Sequence, residues 1–233
     1  MGMIRQEENR LALYEAATLL QDLNDEVVYV GGRIVGLLVT DELEDDVRPT
    51  FDIDVAVEVT GIIAHYALED RLKALGFKPD VTINCRYMHG ETIIDVMHTD
   101  GVLQGLNATW YQDGFDHAID VKISGDKSIK ILNSVYFVAS KLEAFHDRAY
   151  KQKNYLDCKD LEDIVNVING RPEFVEEIQN AKTDVKKYIS NFIVCLVNDE
   201  KWFDAIKSIA RQERSRLIVL NALEKISKLS ENK

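Results

Sequence analysis

The chain is short of the features that would mark a stapled, membrane-bound or repetitive protein. Its three cysteines, Cys85, Cys158 and Cys195, are scattered and form no CxxC pair, which argues against a disulfide framework or a zinc spacing and leaves buried, reduced thiols as the expectation. No apolar run approaches the roughly 20 residues of a membrane span. The first residues also lack the basic, then apolar, then small-residue layout of a secretory leader. The expected compartment is the cytoplasm, with no membrane partner. Neither an internal repeat nor a low-complexity tract is present. Basic charge is scarce in one half only. Residues 1–120 carry 8 Lys+Arg against 23 Asp+Glu, whereas residues 121–233 carry 20 against 17, within a formal net charge of -12. An acidic half suits a metal site, and a basic half suits a surface facing phosphate or RNA.

Two stretches organise the acidic half. Val27 to Val30 reads as a short, fully apolar strand of a sheet covered on both faces. Gly31-Gly32 then turns the chain into a short helix from Arg33 to Val39, where backbone N–H groups can converge on an anion. After an acidic loop, Thr40 to Asp46, comes a second strand through Asp52-Ile53-Asp54-Val55-Ala56-Val57-Glu58. Alternation puts Asp52, Asp54 and Glu58 on one face and Phe51, Ile53, Val55, Val57 and Val59 on the core face. Two carboxylates about 4 Å apart repel by roughly 4 kcal/mol at an effective dielectric near 20, so their adjacency calls for a cation. Mg²⁺ or Mn²⁺ is the natural choice, because such ions take hard oxygen ligands and are shared with substrate phosphates.

The remaining elements follow from periodicity and turn chemistry. Helices are expected over Arg5 to Leu23 and Ile62 to Leu75. Cys85 to Met88 and Glu91 to Met97 flank His89-Gly90 as a hairpin, in which Asp95 interrupts an apolar strand and becomes a candidate third ligand beside Asp52 and Asp54. Gly101 to Asp116 reads as irregular, followed by strands over His117 to Ile123 and Ser128 to Leu132. From Asn133 onward only helices are expected: Asn133 to Ala149, Asp160 to Ile168, Glu173 to Ala181, Val185 to Leu196, and Trp202 to Leu229 with a break near Gln212. Lys141 and Arg148, seven apart, share an edge of the first of these. The fold class is therefore α+β, with a mixed sheet and its helices over residues 1–132 and a helical bundle over residues 133–233.

Strand, Gly-Gly, short helix, Asp-x-Asp on the next strand and an Asp on a later strand together resemble the nucleotidyltransferase fold of the DNA polymerase β type. More particularly, Gly31-Gly32, Arg48-x-Thr50-x-Asp52-x-Asp54, Ile94-Asp95-Val96, Lys141-Leu142-Glu143-Ala144-Phe145-x-x-Arg148 and Lys159 to Ile164 resemble the abortive-infection nucleotidyltransferase toxins of the AbiEii/AbiGii type. The resemblance implies that Asp52, Asp54 and Asp95 bind metal and that Gly31, Gly32, Arg33 and Thr50 lie at the nucleotide. It also implies that Lys141 meets the phosphates, with Arg148 and Asp160 in support, so that the helical part completes the site. Arg33 departs from that family, which usually has Ser or Thr after the glycines, and the gap from Gly32 to Asp52 is long, suggesting a flap.

The implied activity is transfer of an NMP from an NTP to a hydroxyl acceptor such as the 3′ end of a tRNA, by a toxin paired with a cognate antitoxin protein. Three alternatives stand beside it: a housekeeping transferase acting on a small molecule or protein, a sugar-nucleotide glycosyltransferase using the Asp-x-Asp pair, and an inactive binding module on the same fold.

Overall fold

Val27–Val30 (β1) is buried along its whole length, as its unbroken apolar run requires of a central strand. In the computed structural model, which describes residues 2–41, 50–105, 107–155 and 158–230, β1 lies within a seven-stranded mixed sheet. The other strands are Ile53–Val57 (β2), Lys78–Pro79 (β3), Arg86–His89 (β4), Thr92–His98 (β5), Ile119–Ser124 (β6) and Lys127–Ile131 (β7), in the spatial order β3-β4-β5-β2-β1-β7-β6. β1 pairs antiparallel with β2 and parallel with β7, and β2 pairs parallel with β5. The chain divides into two compact units, Met1–Leu37 with Val47–Asn133, and Leu38–Asp46 with Ser134–Lys233.

In the sheet unit, helix α1 (Gly2–Leu20) buries Leu13, Ala16, Ala17 and Leu20, and the strands bury Val28, Val30, Val55, Ile94 and Val96. A 3₁₀ segment, Gln21–Glu26, follows where the sequence suggested that the helix continues to Leu23. After β1, a 3₁₀ turn at Gly32–Ile34 leads into α2 (Val35–Leu38). Helix α3 (Gly61–Ala74) buries Leu68 and Leu72 and stops at Gly76, whose φ of +90° suits a residue without Cβ. The stretch expected to be irregular contains a further short helix, α4 (Tyr111–Asp116), and β3 went unforeseen.

Two corrections concern the acidic strand. β2 begins at Ile53, so Asp52 precedes the strand, and Phe51 is 85% exposed rather than part of the core face. Ile53, Val55, Val57 and Val59 are buried as alternation demands. A third correction concerns the hairpin: His89 pairs with Thr92, so Gly90-Glu91 forms the turn, with Gly90 at φ +60°.

The second unit is helical: α5 (Ser134–Phe145), α6 (Lys159–Gly170), α7 (Phe174–Asn180), α8 (Thr183–Asn198), α9 (Glu200–Ile209) and α10 (Glu213–Lys228). A π-helical turn, His146–Tyr150, follows α5. Phe137, Leu142, Phe145, Ile164, Ile168, Ile193, Trp202, Val219 and Ile226 fill its core, and Phe145 meets Trp202 edge to face at 4.8 Å. The break expected near Gln212 separates α9 from α10. Among the described residues no helix is long and apolar enough to cross a membrane.

Candidate functional site

The sheet assembles the carboxylates by register. Parallel pairing of β2 with β5 sets Asp54 beside Asp95, and antiparallel pairing of β5 with β4 sets Arg86 opposite Asp95. Residues paired in this way share a face, so Arg86, Asp95 and Asp54 form a row across three adjacent strands about 4.8 Å apart. Asp52 joins from just before β2. Arg86 Nε donates to Asp95 Oδ1 and Nη2 to Asp95 Oδ2, both at 2.8 Å, and Nη2 also donates to Asp52 Oδ2 at 3.1 Å. The Asp95 hydrogen bonds, reinforced by the charges of Asp95 and Asp52, hold the guanidinium pKa above its ordinary value.

The glycine turn abuts this row. Gly31 has φ +70°, and a Cβ there would fall 1.9 Å from Asp54 Oδ2, so only glycine lets the end of β1 close on that carboxylate. Arg33 bonds to the chain itself: Nε donates to the Asp52 carbonyl at 3.0 Å, Nη2 to the Phe51 carbonyl at 2.9 Å, and Nη1 to Asn9 Oδ1 at 3.4 Å. Burial lowers its pKa, opposed by the charges of Asp52, Asp54 and Glu15. Arg33 thus fixes the segment that carries Asp52. The hydroxyl of Thr50 is buried and has no hydrogen-bond partner among the described residues. That is a cost of roughly 1–3 kcal/mol unless a ligand or water meets it. Arg48, the Pro49 that follows it and most of the acidic loop lie outside the described residues.

The helical residues singled out by the sequence form a separate cluster within their own unit. Lys141 Nζ lies 3.1 Å from Asp160 Oδ1 and 2.7 Å from Asp163 Oδ2, and Arg148 Nη1 lies 3.5 Å from Asp160 Oδ2. Asp160 thus lies against both Lys141 and Arg148. Asp163, with a side chain only 1% exposed, was missed. Its signal was spacing: Asp160 and Asp163 are i and i+3 on α6 and so share a face. Arg148 lies in the π-helical turn with 63% of its side chain exposed.

Among the described residues, no group of three or more His, Cys, Asp or Glu is arranged to hold a metal ion. A protein cage is not what Mg²⁺ requires, since it is ordinarily bound by one or two carboxylates and completed by water and substrate phosphate. Asp52 and Asp54 offer oxygen donors of that kind. Both oxygens of Asp95 are already engaged by Arg86.

No family model matches the chain, and no curated protein matches it. Six chains of solved structures do. One is a crystal structure of an antigenic nucleotidyltransferase-like protein from Paracoccidioides brasiliensis, 18% identical, covering 82% of this chain and 89% of that chain with a TM-score of 0.45. A likeness of that size says nothing about chemistry, which rests on the residues described above.

Proposed function

We propose that the chain is a nucleotidyltransferase that moves an NMP from an NTP to a hydroxyl acceptor. The supporting observation is the Asp54–Asp95 strand pairing at the Gly31–Gly32 turn, with Asp52 tied to the same cluster through Arg86. Asp52 and Asp54 would hold Mg²⁺ or Mn²⁺, which when bound would offset charge on phosphate oxygens. The absence of a Cβ at Gly31 lets Asp54 close on the end of β1, which would keep that carboxylate at the turn. Thr50 offers a buried hydroxyl that a nucleotide could engage. Arg33 keeps the Phe51–Asp52 backbone in place, so that little reorganisation is needed when the nucleotide binds. As acceptor we assign the 3′ end of an RNA, tRNA in particular, and as biological role a toxin restrained by an antitoxin protein. Both rest on the sequence resemblance alone.

The test is incubation with each α-labelled NTP, Mg²⁺ and either total RNA or total protein. Label entering RNA supports this reading. Label entering no acceptor with any NTP contradicts it. A specific observation favours a second reading, an inactive nucleotide-binding module: Arg86 already neutralises part of the cluster. That module would show an NTP-dependent rise in melting temperature without label transfer.

A further inference from the structure

Arg86 is a cation built into the cluster. Its fork grips both oxygens of Asp95 at 2.8 Å and reaches Asp52 Oδ2 at 3.1 Å, the bidentate geometry in which arginine binds a carboxylate most strongly. The β4–β5 register enforces the pairing, because Arg86 and Asp95 stand directly opposite each other. A clamp of two divalent cations about 3.5–4 Å apart draws on all the carboxylates around it. Here one of the three is occupied at both oxygens.

We propose that Arg86 stands in for one of two divalent cations, so that the cluster takes a single Mg²⁺ or Mn²⁺ at Asp52 and Asp54 while Arg86 serves as the permanent counter-ion of Asp95. The proposal rests on the nucleotidyltransferase reading. A lysine could not replace Arg86 in this role, because a point charge on a flexible stem cannot hold both oxygens at once.

The experiment counts Mn²⁺ bound per chain by the EPR signal of free Mn²⁺, with the Asp52→Asn/Asp54→Asn protein as the blank. Wild type is expected to bind one Mn²⁺ and Arg86→Met two, while the Arg86→Met/Asp95→Asn protein, which removes both halves of the pair, returns to one. Should Arg86→Met fail to fold, Arg86→Gln takes its place with the same expected count of two, and two Mn²⁺ on wild type overturns the proposal without either variant. Two Mn²⁺ on wild type, or one on both wild type and Arg86→Met, overturn the role of Arg86 and leave the metal reading standing. No Mn²⁺ on wild type or on Arg86→Met removes the metal reading and this proposal with it.

Discussion

Each unit of the chain holds a charged cluster, and the two are built in opposite ways. In the helical unit Lys141 faces Asp160 and Asp163, and Arg148 adds a second cation at Asp160, so the signs balance and the inner members are shut away from water. In the sheet unit Arg86 bridges Asp95 and Asp52, with Asp54 in the same row, and the Asp52 side chain is 37% exposed. A balanced, sealed cluster has little to offer a ligand, and its worth lies in fixing how helices pack. An unbalanced, open cluster retains negative charge that a cation can satisfy. On the proposed function, binding belongs to the sheet cluster, and the Lys141 cluster is expected to serve structural integrity.

The sharpest way to break that assignment is at Lys141. Lys141→Met removes the buried cation that Asp160 and Asp163 share, and unfolding by urea should show a loss of about 3–5 kcal/mol. Unchanged stability with lost turnover would instead return Lys141 to the phosphate-binding role that the sequence suggests. A smaller loss is expected at Gly31. Alanine there must adopt φ +70° and collide with Asp54 Oδ2, so Gly31→Ala should cost about 1–3 kcal/mol and weaken Mn²⁺ binding. Equal Mn²⁺ affinity in Gly31→Ala would show that the turn does not shape the cation site.

A milder effect should appear at the C-terminal end of β5, where His98 is buried with its Nε2 3.3 Å from His65 Nδ1. Burial, and then the neighbouring His65, lower its pKa from the ordinary 6.5, opposed by Asp100. Glu69 accompanies His65 at 3.5 Å, and Gln104 accepts from the His98 backbone N–H. A depressed histidine means that the unfolded chain takes up the proton first. The stabilisation is therefore complete above pH 6.5 and is lost as the pH falls through the folded value. Melting temperature should fall between pH 7.5 and 5.5 in wild type, with a flatter slope in His98→Gln. Identical slopes would remove His98 as the cause. The smallest effect is expected for Asp52→Asn, which relieves repulsion while giving up one contact with Arg86; stability should stay within about 0.5 kcal/mol.

What the sequence disclosed follows from how local each signal was. β1, β2 and the Gly31–Gly32 turn were legible because apolar alternation and a glycine pair act within a few residues. Asp54 and Asp95 could be singled out one at a time as carboxylates in apolar strands. Arg86 could not, because its role depends on hairpin register. A turn at His89-Gly90 sets Arg86 opposite Ile93, whereas the observed turn at Gly90-Glu91 sets it opposite Asp95, so a shift of one residue moves the pairing by two. Phe51 was misplaced for a related reason: alternation was extended past the end of β2, where Arg33 rather than the strand ladder holds the backbone. The Phe51 and Asp52 carbonyls as partners of Arg33, and Asp163 as a partner of Lys141, were not legible, because motif position carries no information about the partners that tertiary packing supplies.

The division of labour between the two clusters is tested most directly by Asp54→Asn and Asp163→Asn, compared with wild type for both label transfer from NTP and melting temperature. A contribution of several kcal/mol to the transition state corresponds to about a 10³-fold loss of transfer in Asp54→Asn, with melting unchanged. Asp163→Asn should melt markedly lower yet transfer label at close to the wild-type rate while folded. Full transfer by Asp54→Asn, or loss of transfer without loss of stability in Asp163→Asn, would contradict the assignment of chemistry to the sheet carboxylates.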